Sequence, residues 1–205
     1  EIKFQINQPQ LRLSNSQKEE NMLLTVERIK SFMIKRQKSI VYFPFVSQIE
    51  DVFNEITEKH LKMKEYVERY SGSGMKPNEK NDSYNRFRES KASTMLATKA
   101  FGMGVNIPDI RNVYHYAPTG TLADYVQEIG RAARKLDHGY AITDYLPNDM
   151  NYAKTLWGLS GLRHYQIKAI MKKLYDLYQS KRSRNILVSP DVFSYLFDAN
   201  SIDMK

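Results

Sequence analysis

One segment of this chain combines charged and small residues at helical spacing, the stretch from Thr121 to Arg134. At about 100° per residue, Gln127, Arg131 and Arg134 share one face of a predicted helix. Gly130 lies on the same face, although a glycine inside a helix costs about 1 kcal/mol relative to alanine. These residues indicate a surface that another group approaches closely. The alternative is a solvated face that happens to carry two arginines.

Two predicted loops carry paired glycines, Gly72 with Gly74 and Gly102 with Gly104. Glycine allows the backbone to adopt positive φ and to approach a phosphate closely, so these loops could bind a phosphate group. The net charge of +8 also favours an anionic partner such as nucleic acid. The alternative is that loops commonly contain glycine for their turns alone.

The elements that would position these residues alternate along the chain. Short runs rich in Val, Ile and Tyr lie at 39–43, 66–70, 94–97, 112–116 and 140–146, and helical patterns lie at 18–36, 47–60, 77–90 and 121–134. This alternation predicts an α/β fold, a mostly parallel sheet with helices on both faces, followed by a helical appendage.

Parallel strands place ligands at their carboxyl edge, in the strand-to-helix loops. At that edge we expect the helix 121–134 to face the sheet through Leu122, Val126, Ile129 and Ala133. We divide the chain into a connector over 1–18, an α/β domain over 19–147 and a helical segment over 148–205.

Several classes of protein and site are excluded by what the sequence lacks. It contains no cysteine, which excludes disulfides, a thiol nucleophile and a cysteine zinc site. Its four histidines have no metal-ligand spacing, so we expect no metal site and no zinc, and we expect His115 to be a satisfied core residue. No run approaches 18 apolar residues and no signal peptide is visible, so we expect a cytoplasmic protein without membrane contact. Because the chain begins at Glu1 without Met, we expect a fragment of a longer protein.

Two long runs resemble a known family, one from Ala97 to Asn106 and the other from Gln127 to Arg134. Together with the strand at 113–116, they resemble the second RecA-like lobe of superfamily 2 helicases, and within these the RecQ-like DNA helicases. The resemblance extends from about Ser39 to Met150. It implies an ATP-dependent motor in which ATP and Mg²⁺ are held mainly by an N-terminal RecA-like lobe of the same polypeptide.

The resemblance also implies roles for particular residues. Arg134 would be the arginine finger facing the nucleotide of the other lobe, with Arg131 as its companion and Gln127 beside them. Asn106 would lie near the ribose, and Gly104 and Gly130 would border the nucleotide. The residues implied to contact the nucleic-acid backbone are Thr98, Lys99, Ser71 and Gly72.

The sequence departs from this family in several places. Pro44, Phe45 and Val46 replace a polar run, Ser71 replaces a histidine and Ala133 stands where glycine is usual. The phosphate-binding loop Gly-x-x-x-x-Gly-Lys-Ser/Thr and the acidic Mg²⁺ box are absent. We therefore expect the phosphate loop and metal ligands on the other lobe.

The segment 161–184 is strongly basic, with seven Lys and Arg residues against Asp176. Apolar residues at helical spacing predict an amphipathic helix, and tyrosines are interleaved with the charges. Lys168, Lys172 and Lys173 could therefore bind single-stranded nucleic acid. A solvated basic face on a packing helix is the alternative.

These observations predict the C-terminal motor lobe of an ATP-dependent, 3′-to-5′ DNA helicase that acts on single-stranded or forked DNA. An RNA helicase lobe is one alternative. A non-catalytic nucleic-acid-binding or docking module is the other.

Overall fold

A single parallel sheet organises the main part of the chain. The computed structural model describes residues 1–9, 16–102, 106–160, 164–181 and 192–193. Six strands pair in the order β1-β6-β5-β2-β4-β3, and every pairing is parallel. Their bounds are β1 Ile2–Asn7, β2 Ser39–Tyr42, β3 Val67–Tyr70, β4 Thr94–Ala97, β5 Asn112–His115 and β6 Gly139–Asp144. The predicted α/β fold is confirmed.

Helices connect these strands where the sequence pattern predicts them. Their bounds are α1 Gln17–Ile34, α2 Val46–Lys59, α3 Leu61–Lys64, α4 Pro77–Arg88, α5 Leu122–Ile129, α6 Met150–Ser160 and α7 His164–Lys181, with a short 3₁₀ helix at Lys99–Gly102. The start of α1 is fixed by a capping box, in which the Ser16 amide donates to Glu19 at 2.9 Å. These backbone and side-chain hydrogen bonds from Ser16 lower the pKa of the Glu19 carboxyl.

The core lies in two layers, because successive side chains of a buried strand point to opposite faces. In β2, Val41 packs with the residues of α1 and α2, whereas Ile40 and Tyr42 pack on the other face with Phe101 and Ile129. The sheet therefore carries α1 and α2 on one side. The 3₁₀ helix and α5 lie on the other side.

The first strand was not predicted. Residues 1–18 were expected to form an extended connector, but Ile2–Asn7 pairs in register with Gly139–Asp144 and forms one edge of the sheet. The pairing joins segments more than 130 residues apart, so no local signal reports it. The connector role of this segment stays a prediction.

An ion pair between a half-buried arginine and a buried aspartate holds α1 against the end of β6. The Nε and Nη2 atoms of Arg28 each donate to the Asp144 carboxylate at 2.6 Å, and Asn7 donates to the same group at 2.7 Å. Asp144 is only 1% exposed. The hydrogen bond from Arg28 to Asp144 raises the pKa of the Arg28 guanidinium. Three elements, α1, β1 and β6, are thus tied at one carboxylate.

The chain divides into two compact units, Glu1–Ala153 and Lys154–Lys205. In the second unit the described residues form the end of α6 and all of α7, as the predicted helical appendage requires. The domain boundaries proposed from the sequence stay a prediction. Within the described ranges, the helices are too short or too polar to cross a bilayer.

Candidate functional site

The predicted functional residues of the first unit gather at the carboxyl edge of the sheet. This follows from the parallel pairing, which brings the loops after β3, β4 and β5 to one side of the molecule. The 3₁₀ helix Lys99–Gly102 follows β4, and α5 lies beside it after β5. Two clusters form there, one around the end of α5 and one where β3 and β4 end.

The helix α5 begins as predicted but ends early. The Thr121 hydroxyl accepts from the Asp124 amide at 3.1 Å, which caps the first turn. The helix stops at Ile129, whereas the sequence pattern predicted helix to 134. After Gly130 the Arg131 amide bonds to Glu128 O at 3.2 Å, so the chain tightens into a turn.

The inward face of α5 also differs from the prediction. Leu122 and Val126 were expected to face the sheet, but they are 76% and 56% exposed. The buried positions are Glu128 and Ile129, so the helix is rotated relative to the apolar stripe. A buried partner for Glu128, described below, accounts for this rotation.

Arg131 does not share an exposed face with Gln127. Its side chain is buried, and its Nη2 donates a hydrogen bond to Gly102 O of the 3₁₀ helix. A Cβ built on Gly102 would lie 3.1 Å from Nη2 of Arg131, so a larger residue at 102 would crowd the guanidinium. Arg131 therefore links the turn after α5 to the loop after β4. Gln127 is exposed on α5.

Arg134 is exposed and lies beside two other predicted residues. Its Nη1 donates to Oδ1 of Asn106 at 3.1 Å, and its Nε donates to Gly130 O at 3.4 Å. The structure therefore brings Arg134, Asn106 and Gly130 together. Gly104, which was predicted to join them, lies outside the described residues.

A buried polar cluster lies beneath these arginines. Nε2 of His115, at the end of β5, contacts Oε2 of Glu128 at 2.8 Å, and both side chains are buried. His115 is a core residue, as expected. The sequence pattern did not indicate that His115 contacts Glu128. Beside it, burial raises the pKa of the Tyr42 phenol and the Arg131 guanidinium partly offsets that rise. The strands β2 and β5 and the helix α5 thus each contribute a polar side chain to this cluster.

The residues implied to contact nucleic acid form the second cluster. The Thr98 amide donates to Tyr70 O at 3.3 Å, which holds the loops after β3 and β4 side by side. Ser71 is buried and its hydroxyl donates to Ser73 O at 2.5 Å, while Lys80 donates to Gly72 O at 2.6 Å.

Exposure differs among the members of this second cluster. Gly72 and Lys99 are exposed, and Thr98 is half-buried. Ser71 is thus placed to hold the shape of the loop, whereas Gly72 and Lys99 are exposed at the surface of the protein.

The loop after β2 is aromatic where the family resemblance implies polar residues. Phe45 is half-buried and packs edge-on against Tyr152, with ring centroids 6.3 Å apart. Its amide donates to the Gln48 side chain at 3.1 Å at the start of α2. This loop is therefore a packing element at the same sheet edge.

The basic helix α7 separates its three lysines. Lys168 and Lys172, four residues apart, are both exposed, whereas Lys173 is half-buried. On the face of Lys168 and Lys172, Tyr175 is 60% exposed and its hydroxyl accepts from Gln179 at 2.8 Å. Two of the three predicted lysines thus share one exposed face with an aromatic ring.

Metal ligands are a separate question. Over the described ranges, no three His, Asp or Glu side chains lie close enough together to hold a metal ion.

Comparisons with known proteins agree on one family. Residues 17–135 match the model of the helicase conserved C-terminal domain. The chain is 30% identical over 194 residues to the bifunctional 3′-5′ exonuclease/ATP-dependent helicase WRN of Mus musculus, covering 89% of this chain and 13% of that protein. It is 37% identical over 76 residues to the ATP-dependent DNA helicase RecQ of Synechocystis, covering 37% of this chain and 16% of that protein.

Among solved structures, domain 2 of the DEAD-box helicase Mss116p bound to an RNA duplex superposes with a TM-score of 0.58. The sequences are 17% identical, and the match covers 78% of this chain and 59% of that one. This similarity supports the fold. The chain spans only a small part of the length of the curated relatives named above.

Proposed function

This chain belongs to the helicase conserved C-terminal domain family, and from that premise we propose that it is the second motor lobe of an ATP-dependent helicase. The complete protein would hold ATP between this lobe and an N-terminal RecA-like lobe of the same polypeptide. That other lobe would supply the phosphate-binding loop and the acidic Mg²⁺ ligands, neither of which occurs in the present sequence.

The contact of Arg134 with Asn106 carries this proposal. An arginine finger must be an exposed cation whose side chain is held in one direction, at the edge of the lobe that meets the nucleotide. Arg134 is exposed, and two oxygens, one from Asn106 and one from Gly130, accept from its guanidinium group. Arg134 would donate to the γ-phosphoryl oxygens as charge develops on them.

The remaining predicted residues would support this action. Arg131, buried against Gly102 O, would fix the loop after β4 rather than reach the phosphate itself. Gln127, exposed in the last turn of α5, would face the nucleotide from the same side as Arg134. Asn106 would then orient Arg134 in addition to lying near the ribose.

The second cluster would contact the nucleic-acid backbone. Gly72 lies in an exposed loop and Lys99 is an exposed cation, on adjacent strand ends, and the half-buried Thr98 holds the two loops together through its amide. Such contacts bind phosphates without reading the base sequence. In the second unit, Lys168 and Lys172 would add electrostatic attraction for a single strand, and the half-buried Lys173 would not contact it directly.

We propose DNA, single-stranded or forked, as the nucleic acid and 3′-to-5′ as the direction of movement. Both rest on similarity to RecQ-type helicases, one of which is named a DNA helicase. An RNA helicase is the second candidate, favoured by the RNA-bound structural neighbour. Strand displacement by the complete protein on DNA and RNA duplexes with a 3′ or a 5′ tail separates these possibilities.

The proposal is tested by ATP turnover of the complete protein in the presence of single-stranded DNA. Arg134→Ala should slow turnover by about 10³-fold or more, the magnitude associated with arginine fingers. Lys135→Ala is the matched control, because Lys135 is the neighbouring exposed cation and should leave turnover unchanged. The 205-residue chain alone should not hydrolyse ATP.

Near-normal turnover in Arg134→Ala would refute the finger assignment. A complete protein that binds nucleic acid but never hydrolyses ATP would instead support the alternative of a non-catalytic binding module.

A further inference from the structure

We propose that His115 is a positioning residue, which acts through Glu128 to fix the turn that carries Arg131 and Arg134. The inference rests on the proposed function, because Arg134 is the group that would serve the nucleotide and Arg131 would fix the loop beside it. His115 itself touches neither nucleotide nor nucleic acid in this scheme. It lies buried beneath α5.

The contact between the two side chains is direct and buried. His115 is 1% exposed and Glu128 is 6% exposed, and their Nε2 and Oε2 atoms are 2.8 Å apart. Nε2 is the imidazole atom in this contact, and with Glu128 as a carboxylate it is the donor. The hydrogen bond joins the last residue of β5 to the last turn of α5.

Two tyrosine rings fix the direction of the imidazole. Tyr42 pairs with His115 across the sheet, and their ring centroids are 5.8 Å apart at an angle of 23°. On α5, the Tyr125 ring lies 5.0 Å away at 44°. A ring packed against two others cannot turn freely, so Nε2 points at one place.

The position of Glu128 sets the backbone that follows it. Its carbonyl accepts from the Arg131 amide at 3.2 Å, which starts the turn after α5. From that turn Arg131 points inward to Gly102 O, and Arg134 points outward to Asn106. A shift of Glu128 would therefore move both guanidinium groups.

Stability alone does not account for a pair of this kind. Replacing a buried polar or charged pair by apolar residues of similar volume is often neutral or stabilising. Nδ1 of His115, moreover, has no hydrogen-bond partner within the described residues, so the pair is not fully satisfied. A single directed hydrogen bond fixes the rotation of α5 about its own axis. That rotation is the one that exposes Leu122 and Val126.

The test compares variants that keep or remove the directed hydrogen bond between residues 115 and 128 while keeping the packing. His115→Phe with Glu128→Leu replaces the pair by apolar groups of similar size. Glu128→Gln is the conservative variant, since a glutamine oxygen still accepts from Nε2. Asn112→Ala is the matched control for lost stability, because Asn112 is buried at the other end of β5, where it bonds Gln37 and Ser39.

Amide hydrogen exchange is measured first, on the 205-residue chain. In the apolar double variant the amides of Arg131 and Ala132 should exchange at least about tenfold faster, while β4 and β5 keep their protection. Glu128→Gln should stay within about threefold of the unsubstituted chain. Asn112→Ala should loosen the sheet without a selective effect on the turn.

Steady-state ATP turnover is measured second, on the complete protein with saturating single-stranded DNA. The apolar double variant should lower kcat by about 10- to 100-fold with little change in KM for ATP, because misplaced arginines fail mainly in the transition state. Glu128→Gln, which keeps an acceptor for Nε2, should retain most of the kcat of the unsubstituted protein.

Unchanged exchange of the turn in the apolar double variant would overturn the proposal and leave the pair as packing. So would a normal kcat in a protein whose unsubstituted form hydrolyses ATP. If the unsubstituted complete protein shows no turnover, the proposed function fails, and the exchange measurement still decides whether His115 positions the turn.

Discussion

Nη1 of Arg134 donates a hydrogen bond to Oδ1 of Asn106 across 3.1 Å, joining the turn after α5 to the loop after β4. The two residues are 28 positions apart in sequence, and both are exposed. A surface hydrogen bond of this kind contributes little to stability. It does select one direction for a long side chain that otherwise has many rotamers.

This contact predicts that Asn106 and Arg134 act as a unit in ATP turnover. In the complete protein Asn106→Ala should lower kcat by about tenfold, because the guanidinium then loses its fixed direction. In a chain that already carries Arg134→Ala, the same change should have little further effect. The measurement is a double-mutant cycle on kcat.

Full additivity of the two changes would show that Asn106 acts independently, for example through the ribose alone. Asn106→Asp serves as the control for charge, since it keeps the acceptor oxygen.

Ala133 predicts a change in stability at the position just before Arg134. Its φ of 61° lies in the left-handed region, which costs a residue with a Cβ about 1–2 kcal/mol. Ala133→Gly should therefore be neutral or stabilise the chain by up to about 1 kcal/mol, after the entropic penalty of glycine. Ala132→Gly is the matched control. Because Ala132 is buried and has no positive φ, its change should destabilise by about 1 kcal/mol.

Urea unfolding followed by circular dichroism measures both changes. A loss of stability in Ala133→Gly as large as that in Ala132→Gly would show that the Ala133 methyl group packs usefully despite its backbone conformation. Gly139 lies close by, and a Cβ there would be 2.9 Å from the Ala132 Cβ, so position 139 should accept no other residue.

The rotation of α5 shows where sequence patterns fail. Leu122 and Val126 form an apolar stripe, and the pattern assumes that a glutamate faces solvent. Glu128 is buried instead, because His115 of β5 provides a partner that no local window contains. The early end of the helix could have been inferred from Gly130. The strands were predicted well, because buried parallel strands read as continuous apolar runs.

The strand β1 shows a second limit. Ile2, Phe4 and Ile6 alternate with polar residues, a signal for a strand that was available in the sequence. Its partner β6 follows after the whole domain, so the pairing depends on the completed sheet. The gathering of Arg134 with Asn106 was implied only by family resemblance. The distances among these residues could come only from the structure.

The half-buried ion pair of Arg28 with the buried Asp144 predicts a loss of stability. Asp144→Ala leaves the Arg28 guanidinium without its partner and should destabilise the first unit by about 1–3 kcal/mol, because Arg28 keeps part of its contact with water. The i,i+4 pair of Lys59 with Glu55 is the comparison, and because Lys59 is exposed, Lys59→Ala should cost at most about 0.5 kcal/mol. Urea unfolding measures both. Equal effects of the two changes would mean that the ion pair at Asp144 is solvated in solution.

The two faces of α7 allow the basic helix to be tested on the 205-residue chain alone. Lys168 and Lys172 lie on the exposed face with Tyr175, and Lys173, about 100° further round the helix, is half-buried. Over the part of the chain that the structure describes, neither Lys168 nor Lys172 forms an ion pair. A strand of phosphates could therefore approach these two lysines but not Lys173.

Binding of the 205-residue chain to labelled single-stranded DNA should therefore weaken with salt in a residue-specific way. Each lysine that neutralises a phosphate adds a slope of about −0.7 to log affinity against log salt, because counterions are released. Lys168→Gln and Lys172→Gln should each flatten the slope by about 0.7, and Lys173→Gln should leave it unchanged. Tyr175→Ala should lower affinity at every salt concentration, whereas Tyr175→Phe, which keeps the ring, should not. Fluorescence anisotropy over a salt series measures all five variants. Slopes in all three lysine variants equal to that of the unsubstituted chain would mean that α7 is a packing helix with a solvated basic face, and that the positive charge of the chain meets nucleic acid at the strand-end loops instead.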